Sequence, residues 1–295
     1  MASVIVCAPA KVNLYLAVGS KRPDGYHDVL TVMQSLSLAD DIVLRDADAL
    51  ALECAPDPCP SAEDNLAYRA ARSLAVAHGV TPRARISISK RIPAGAGLGG
   101  GSADAAATLL GLAALWELPT DAGLRDVAAS LGADVPFALE GGTALLAGRG
   151  DELVRRLPTP ALDFVLVNPG VPVSTAAAYA AVDASPPREA PSVDALLAAL
   201  ESGDAPAVAL ALHNDMTTSS CGLVPVICDA LECLRGTEGV LGAEMAGSGS
   251  TVFGICRDPD SAARAAEAAR SRGWWATSAT AVANGASIAG RERGA

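Results

Sequence analysis

"PAGAGLGGGSADAAATLLGLAALW", Pro93–Trp116, sets five glycines in the seven positions from Gly95 to Gly101 and then runs straight into an apolar pattern of helical spacing: Ala106, Leu109, Leu110, Ala113 and Trp116. Flexible linkers do not open directly onto such a helix. Gly95, Gly97 and Gly100 fit the G-x-G-x-x-G spacing of a dinucleotide site. The context is wrong for that fingerprint. The preceding strand "ISISK" (Ile86–Lys90) alternates apolar and polar residues, and no second strand ending in an acid follows about twenty residues on. A Walker loop fails because Ser102 is not preceded by lysine. What remains is a site for an anion. Glycines let backbone N–H groups face an anion with no Cβ in the way, and the following helix adds unpaired donors and its positive dipole end. Ser102 is the predicted N-cap. Asp104, just beyond it, must either turn away from a phosphate or act on it through Mg2+.

Composition narrows the class. A chain of 295 residues suits one large domain or two ordinary ones, globular and soluble, around a substantial core. It is 51% hydrophobic but only 3% aromatic, so alanine, valine and leucine must fill the interior, which favours helix. A net charge of −11 with no basic run argues against a nucleic-acid binder, whose phosphate contacts need clustered lysine and arginine. No amino-terminal stretch couples a basic region to a long apolar core, and the long uncharged tract Gly273–Gly290 is too rich in Thr, Ser, Asn and Gly to span a membrane. Seven cysteines, an odd number with no C-x-x-C pair, point to reduced thiols in a cytoplasmic protein rather than a disulfide framework or a zinc site. Only three of the 22 basic residues are lysines, Lys11, Lys21 and Lys90, which singles each of them out.

Strand and helix patterns mix without strict βαβ alternation, so the predicted class is α+β. "SVIVCAPAKVNLYLAVG" (Ser3–Gly19) reads as two short strands around Pro9, and "GGTALLAG" (Gly141–Gly148) and "DFVLVNPG" (Asp163–Gly170) as further strands. Helical patterns fall at about 65–77, 102–116, 123–131, 193–201, 205–213, 223–234 and 261–272. The proline-rich stretches 157–160 and 185–191 are candidate linkers, and the first divides the chain into domains 1–157 and 158–295. No internal repeat is visible, and the last forty residues carry no motif.

Four segments, taken in order, resemble the GHMP small-molecule kinases: "PAKVNLYL" (Pro9–Leu16), "PAGAGLGGGSADAA" (Pro93–Ala106), "LGADVPFAL" (Leu131–Leu139) and "AGSGSTVF" (Ala246–Phe253). "RPDGYHDVLTVMQSL" (Arg22–Leu36) narrows the resemblance to the branch that phosphorylates a cytidine-bearing acceptor in non-mevalonate isoprenoid synthesis, and the likeness spans residues 5 to about 255. It implies a two-domain fold with the active site in the cleft between the domains. The implied reaction moves the γ-phosphoryl of ATP, with Mg2+, to the 2-hydroxyl of CDP-methylerythritol, and needs no obligate protein partner. Pro93, Ala94, Gly95, Ala96, Gly97, Leu98, Gly99, Gly100, Gly101, Ser102 and Ala103 would wrap the phosphates of ATP. Asn65, in "EDNLAYRAA", matches a residue that contacts adenine, or else caps the helix behind it.

The same resemblance makes Asp134 the base that accepts the hydroxyl proton; the alternative is a cap on the turn "DVPF", with Pro136 just inside. Lys11 would lie near Asp134 and the acceptor oxygen, holding the carboxylate ionised and lowering the pKa of the hydroxyl. Its place in an apolar run separates it from an ordinary solvated lysine. Asn13, two residues on and so on the same strand face, would orient the acceptor. Tyr26 and His27 match a cytidine-recognising pair, the ring stacking on the base and His27 bonding its polar edge, where the bland alternative is an exposed turn. Tyr179, in "STAAAYAAV", is either a second aromatic face or a helix-core tyrosine. Gly247, Ser248 and Gly249 would close the site from the second domain. No metal-ligand set is legible, and His78 and His213 show no partner pattern.

Three rivals remain. Another GHMP kinase, acting on homoserine or mevalonate, would not need "DGYH"; a non-catalytic nucleotide sensor would not need Lys11 and Asp134 together; an NAD-dependent enzyme would have to bind a nicotinamide cofactor.

Overall fold

The chain opens with a long hairpin in which β1 (Ser3–Lys21) runs antiparallel to β2 (His27–Arg45). Its turn is closed by Arg22 N donating to Tyr26 O at 2.7 Å. Pro9, expected to divide this run into two strands, does not. The register shifts between Pro9 and Lys11, so a bulge absorbs the missing N–H, and a second shift follows between Asn13 and Tyr15. The two bulges bracket Lys11 and Asn13 and bend the strand where those side chains leave it.

The computed structural model describes residues 2–56, 61–119, 123–185 and 190–292. After the hairpin come β3 (Ala51–Ala55), α1 (Leu66–His78), β4 (Arg85–Ser89), α2 (Gly100–Leu115), α3 (Leu124–Leu131), α4 (Val135–Glu140), β5 (Thr143–Ala147) and β6 (Glu152–Leu157). The second half holds β7 (Asp163–Asn168), α5 (Thr175–Asp183), α6 (Asp194–Ser202), α7 (Ala205–Leu210), β8 (His213–Asn214), α8 (Thr217–Leu223) and α9 (Val226–Arg235). It ends with β9 (Val240–Met245), β10 (Val252–Cys256), α10 (Pro259–Arg270), β11 (Trp275–Thr280) and β12 (Ser287–Glu292).

The larger sheet runs β12-β1-β2-β4-β3, with β5 also on β2, β6 on β5 and β8 on β1; the smaller runs β11-β7-β10-β9. Among the described strands only β1–β8 and β3–β4 pair in parallel, so the α+β class expected from the sequence holds. Helix α2 is buried on almost every side because it lies between the larger sheet and α1. A Cβ on Gly111 would stand 2.2 Å from Leu44 Cδ1 and 2.8 Å from Val6 Cγ2, which measures how closely the helix rests on the β1–β2 face. Val6, Leu44, Leu74, Ile86, Leu109 and Leu112 are fully enclosed there. A second core, with Leu14, Leu36, Leu98, Phe164 and Phe253, lies between the two sheets, and Leu98 belongs to the glycine-rich loop. Each such side chain contributes roughly 1.5–3 kcal/mol on burial, so the loop is anchored by its one large apolar residue.

Several expectations are corrected. Ser102 is not the N-cap of α2; Gly99 is, in the left-handed conformation, which starts the helix three residues earlier and puts Ser102 in its first turn. The helix expected over 223–234 is α9, which starts three residues later because Pro225 stands at its N-cap; α8, just before it, was not expected. His213, expected to end α7, instead pairs with Tyr15 as part of β8. The described part of the motif-free last forty residues holds α10, near the expected helix, then β11, which completes the smaller sheet, and β12, which returns to pair with β1. Cys54 is disulfide-bonded, against the expectation of reduced thiols throughout. It lies on the edge strand β3 just before a proline-rich segment, and the next cysteine in the sequence, five residues on, lies outside the described residues. Cys7, Cys221, Cys228, Cys233 and Cys256 are free. The 185–191 linker falls mostly outside the described residues.

Candidate active site

The glycine loop is held from both sides. Lys11 N on β1 donates to Leu98 O at 3.0 Å, and Thr251 N, beyond the turn between β9 and β10, donates to Ala96 O at 3.2 Å. Gly97 (φ 79°) has no room for a side chain, since a Cβ there would stand 2.1 Å from Ala246 O. Gly99 (φ 70°) lies against Lys11, whose Cγ would be 2.9 Å from a Cβ. The loop thus connects the two halves and delivers the start of α2, a 16-residue helix, to the cleft with its first N–H groups unpaired.

The cleft has a volume of about 420 Å³, and its walls include Lys11, Asn13, Gly95, Gly97, Gly99, Ser102, Asp134, Gly247 and Ser248 at one end and Tyr26, Arg149 and Tyr179 at the other. Most of the site residues expected from the sequence therefore meet here, although Asp134 lies 123 positions from Lys11 and Gly247 a further 113 on. Lys11 is buried, with Nζ 2.8 Å from Asn13 Oδ1 and 3.4 Å from Asp134 Oδ2. The orientation of Asn13 follows from the next two bonds. Thr31 Oγ1 donates to Tyr15 O at 2.7 Å and so accepts from Asn13 Nδ2 at 2.9 Å, leaving Asn13 Oδ1 for the ammonium. Asp134 occupies the N-cap position of α4, yet its side chain makes no cap hydrogen bond. The capping alternative therefore has no bond to support it, and the carboxylate faces Lys11 with about a third of its surface exposed.

The turn that closes this end is fixed by its neighbours. Asn214 Nδ2 donates to Met245 O and Gly247 O, both at 2.8 Å, Ser220 Oγ donates to Ser248 O at 3.1 Å, and the hydroxyls of Thr175 and Ser248 are 3.0 Å apart. None of Asn214, Ser220 and Thr175 carries a sequence signal; they are found only by tertiary contact.

At the far end Tyr26 is 56% exposed and Tyr179 is mostly buried, its hydroxyl pushed up in pKa by burial and by the charge of Asp134. His27 is buried beside the cleft and stacks on Tyr179, with ring centroids 4.8 Å apart and planes 8° from parallel, while its Nε2 lies 2.7 Å from Asp183 Oδ1. Asn65 caps α1, accepting from Ala67 N at 2.8 Å. The helix it starts borders the loop, because a Cβ on Gly101 would stand 3.7 Å from Leu66 Cδ1. Pro93, Ala94, Ala96, Leu98, Gly100 and Ala103 do not line the cleft; Ala96, Leu98 and Ala103 are buried, whereas Ala94 is exposed.

Of the two options for Asp104, the structure takes the first: it turns away. The carboxylate is buried and 2.7 Å from Lys90 Nζ, which also meets Asp40 at 2.5 Å, while Asp40 Oδ1 accepts from Arg91 N and Ile92 N. Burial pushes the Asp104 carboxyl up to about 7 against the pull of Lys90. This buried cluster ties the ends of β2 and β4 to the first turns of α2, below the loop.

A glycine loop at a helix start, facing a lysine–carboxylate pair, defines a phosphoryl-transfer site of the GHMP type. The model of the GHMP kinases N terminal domain matches residues 65–142, and that of the GHMP kinases C terminal domain matches residues 193–273. A 4-diphosphocytidyl-2-C-methyl-D-erythritol kinase of Moorella thermoacetica is 46% identical over 264 residues, covering 88% of this chain and 92% of its own, and the one of Mycobacterium tuberculosis is 43% identical over 270 residues, covering 88% and 84%. A crystal structure of a 4-(cytidine 5'-diphospho)-2C-methyl-D-erythritol kinase superposes with a TM-score of 0.79 at 39% identity, covering 94% of this chain and 98% of that one. The chain belongs to the GHMP kinases and, within them, to the family of the 4-diphosphocytidyl-2-C-methyl-D-erythritol kinases. It is an ATP-dependent small-molecule kinase of isoprenoid biosynthesis. Among the described residues no helix is long and apolar enough to cross a membrane.

Proposed function

We propose that the protein transfers the γ-phosphoryl group of ATP to the 2-hydroxyl of 4-diphosphocytidyl-2-C-methyl-D-erythritol in the cytoplasm, between domains 1–157 and 158–295, with Asp134 taking the hydroxyl proton. The observation that carries this reading is the Lys11–Asp134 pair, 3.4 Å apart, standing beside the glycine loop in a cleft that also presents two tyrosines. The loop amides and the start of α2 receive the phosphates, with Asn65 at the adenine side. Asn13 and Asp134 hold Lys11, and the remaining N–H of its ammonium points its charge at the transferring group and the acceptor oxygen. That charge favours the developing alkoxide while Asp134, 3.4 Å from the ammonium, accepts the hydroxyl proton. Little covalent work is left to the protein; positioning and charge carry the reaction.

Mg2+ accompanies ATP in this reading. Among the described residues no three His, Cys, Asp or Glu side chains could hold a metal, so the protein alone offers no cage. The residues fit an ion that takes most of its oxygens from phosphate and water, with the Ser102 hydroxyl on the cleft wall as the protein donor. The ion would neutralise charge on the β- and γ-phosphates.

The cytosine ring would enter between Tyr26 and Tyr179. With Asp183 accepting from Nε2–H, Nδ1 of His27 is left to accept, which suits the amino group of cytosine and not the carbonyl that replaces it in uracil. The deciding test is ADP release with the cytidine acceptor, homoserine and mevalonate in parallel. Only the first is expected to support turnover, and turnover on either of the others in its place would retire the reading.

Two variants extend the test. Tyr26→Ala is expected to weaken the cytidine acceptor by about 1–3 kcal/mol, the scale of base–aromatic stacking, and to leave ATP unaffected. Wild-type affinity for the acceptor would remove Tyr26 from the site. Lys11→Met is expected to lower kcat far more than it raises KM for either substrate, since its charge is needed most in the transition state. A pure KM effect in steady-state kinetics would reassign Lys11 to substrate binding.

A further inference from the structure

We propose that Arg149 determines acceptor specificity by meeting the diphosphate of the acceptor through its guanidinium; this rests on the cytidine-acceptor reading above. Lys11 and Arg149 are the two cations among the residues that line the cleft, and Asp134 is the one carboxylate. Lys11 is committed to Asn13 and Asp134 at the glycine-loop end. A diphosphate entering from the tyrosine end therefore has Arg149 as its cationic partner.

The side chain is built in rather than trailing in solvent. Asp151 takes Nε at 3.1 Å and Nη2 at 2.5 Å, and the guanidinium carbon lies 5.2 Å from the centroid of the Tyr26 ring. The turn that carries it is tied to β2 two residues after His27, where Val29 N donates to Gly148 O at 2.7 Å. A guanidinium has five N–H donors in a planar fork, so donors remain for a phosphate after Asp151 is satisfied. The placement suits the ligand's chemistry. In a nucleoside diphosphate the base and the first phosphate flank a single ribose, and a cation beside the ring that stacks the base stands within reach of that phosphate. Sequence reasoning passed over Arg149 because "AGRGD" reads as an ordinary polar turn.

Calorimetric binding of cytidine and of CDP to wild type, Arg149→Gln, Arg149→Lys and Tyr26→Ala separates the possibilities. Arg149→Gln is expected to weaken CDP by about tenfold or more while leaving cytidine unchanged, because a charge-assisted bond is lost only where phosphate is present. Arg149→Lys should recover part of the loss, keeping the charge without the fork. Tyr26→Ala should weaken both ligands alike. Equal weakening of cytidine and CDP by Arg149→Gln would reduce Arg149 to a prop for Tyr26 and overturn the proposal, as would wild-type CDP affinity. Tight CDP binding to wild type with cytidine and CDP responding as expected supports it. Wild-type protein that binds neither ligand would overturn the acceptor reading itself and this role with it.

Discussion

Asp134→Asn is expected to cut turnover by roughly 10²- to 10⁴-fold, the range for loss of a general base, with fold and ATP affinity nearly unchanged. The geometry makes the test clean. Asp134 sits at the head of α4 but gives that helix no capping bond, so asparagine removes a charge and a proton acceptor without removing a structural contact of the helix. The partner left behind, Lys11, keeps its bond to Asn13 Oδ1 at 2.8 Å and is not stranded. Asparagine can still accept from Lys11, which preserves the arrangement while abolishing basicity. Single-turnover kinetics with saturating ATP should show the loss in the chemical step, and a thermal melt should show it is not unfolding. Turnover near wild type would leave Asp134 as an orienting group only and would move the proton to solvent or to the departing phosphate.

How much of this was legible follows the range of each interaction. The glycine loop and α2 are local, so glycine content and helical spacing revealed both. Asn65 and Asp134 could each be read as caps, and local pattern did not separate them. Asn65 does cap α1, whereas Asp134 is drawn to Lys11 by a strand that no local pattern connects to it. The same limit explains the larger misses. Pro9 looked like a strand end because a missing N–H is a local fact, but the bulge that tolerates it belongs to the pairing with β2. The last forty residues offered no motif because β12 is defined by its partner β1, at the opposite end of the chain. Ser102 was taken for the cap by residue type, when Gly99 had already started the helix by its conformation. Arg149, Thr31 and Asn214 act through tertiary neighbours alone and left no trace that composition or spacing could show.

Gly99→Val is expected to abolish measurable ATP binding, and with it turnover, for two reasons that act at the same atom. The residue sits at φ 70°, where a β-branched side chain is strained, and it is the N-cap of α2, so relieving that strain moves the first turn, whose N–H groups face the phosphates in the proposed reading. A Cβ there would also stand 2.9 Å from Lys11 Cγ and 3.2 Å from its Cε. Lys11 cannot swing aside without leaving Asn13 and Asp134, so the substitution disturbs the proposed nucleotide site and the Lys11–Asp134 pair together. Gly99→Ala should be intermediate, sharing the clash and the backbone strain but lacking the branch. Gly101→Ala provides the contrast: with 3.7 Å to its nearest neighbour, Leu66 Cδ1, and an ordinary helical conformation, it should be tolerated far better. Circular dichroism establishes that each variant is folded, and calorimetry with ATP then ranks them. A folded Gly99→Val protein with wild-type ATP affinity would mean that the phosphates lie elsewhere, and the loop would lose its assignment as their cradle.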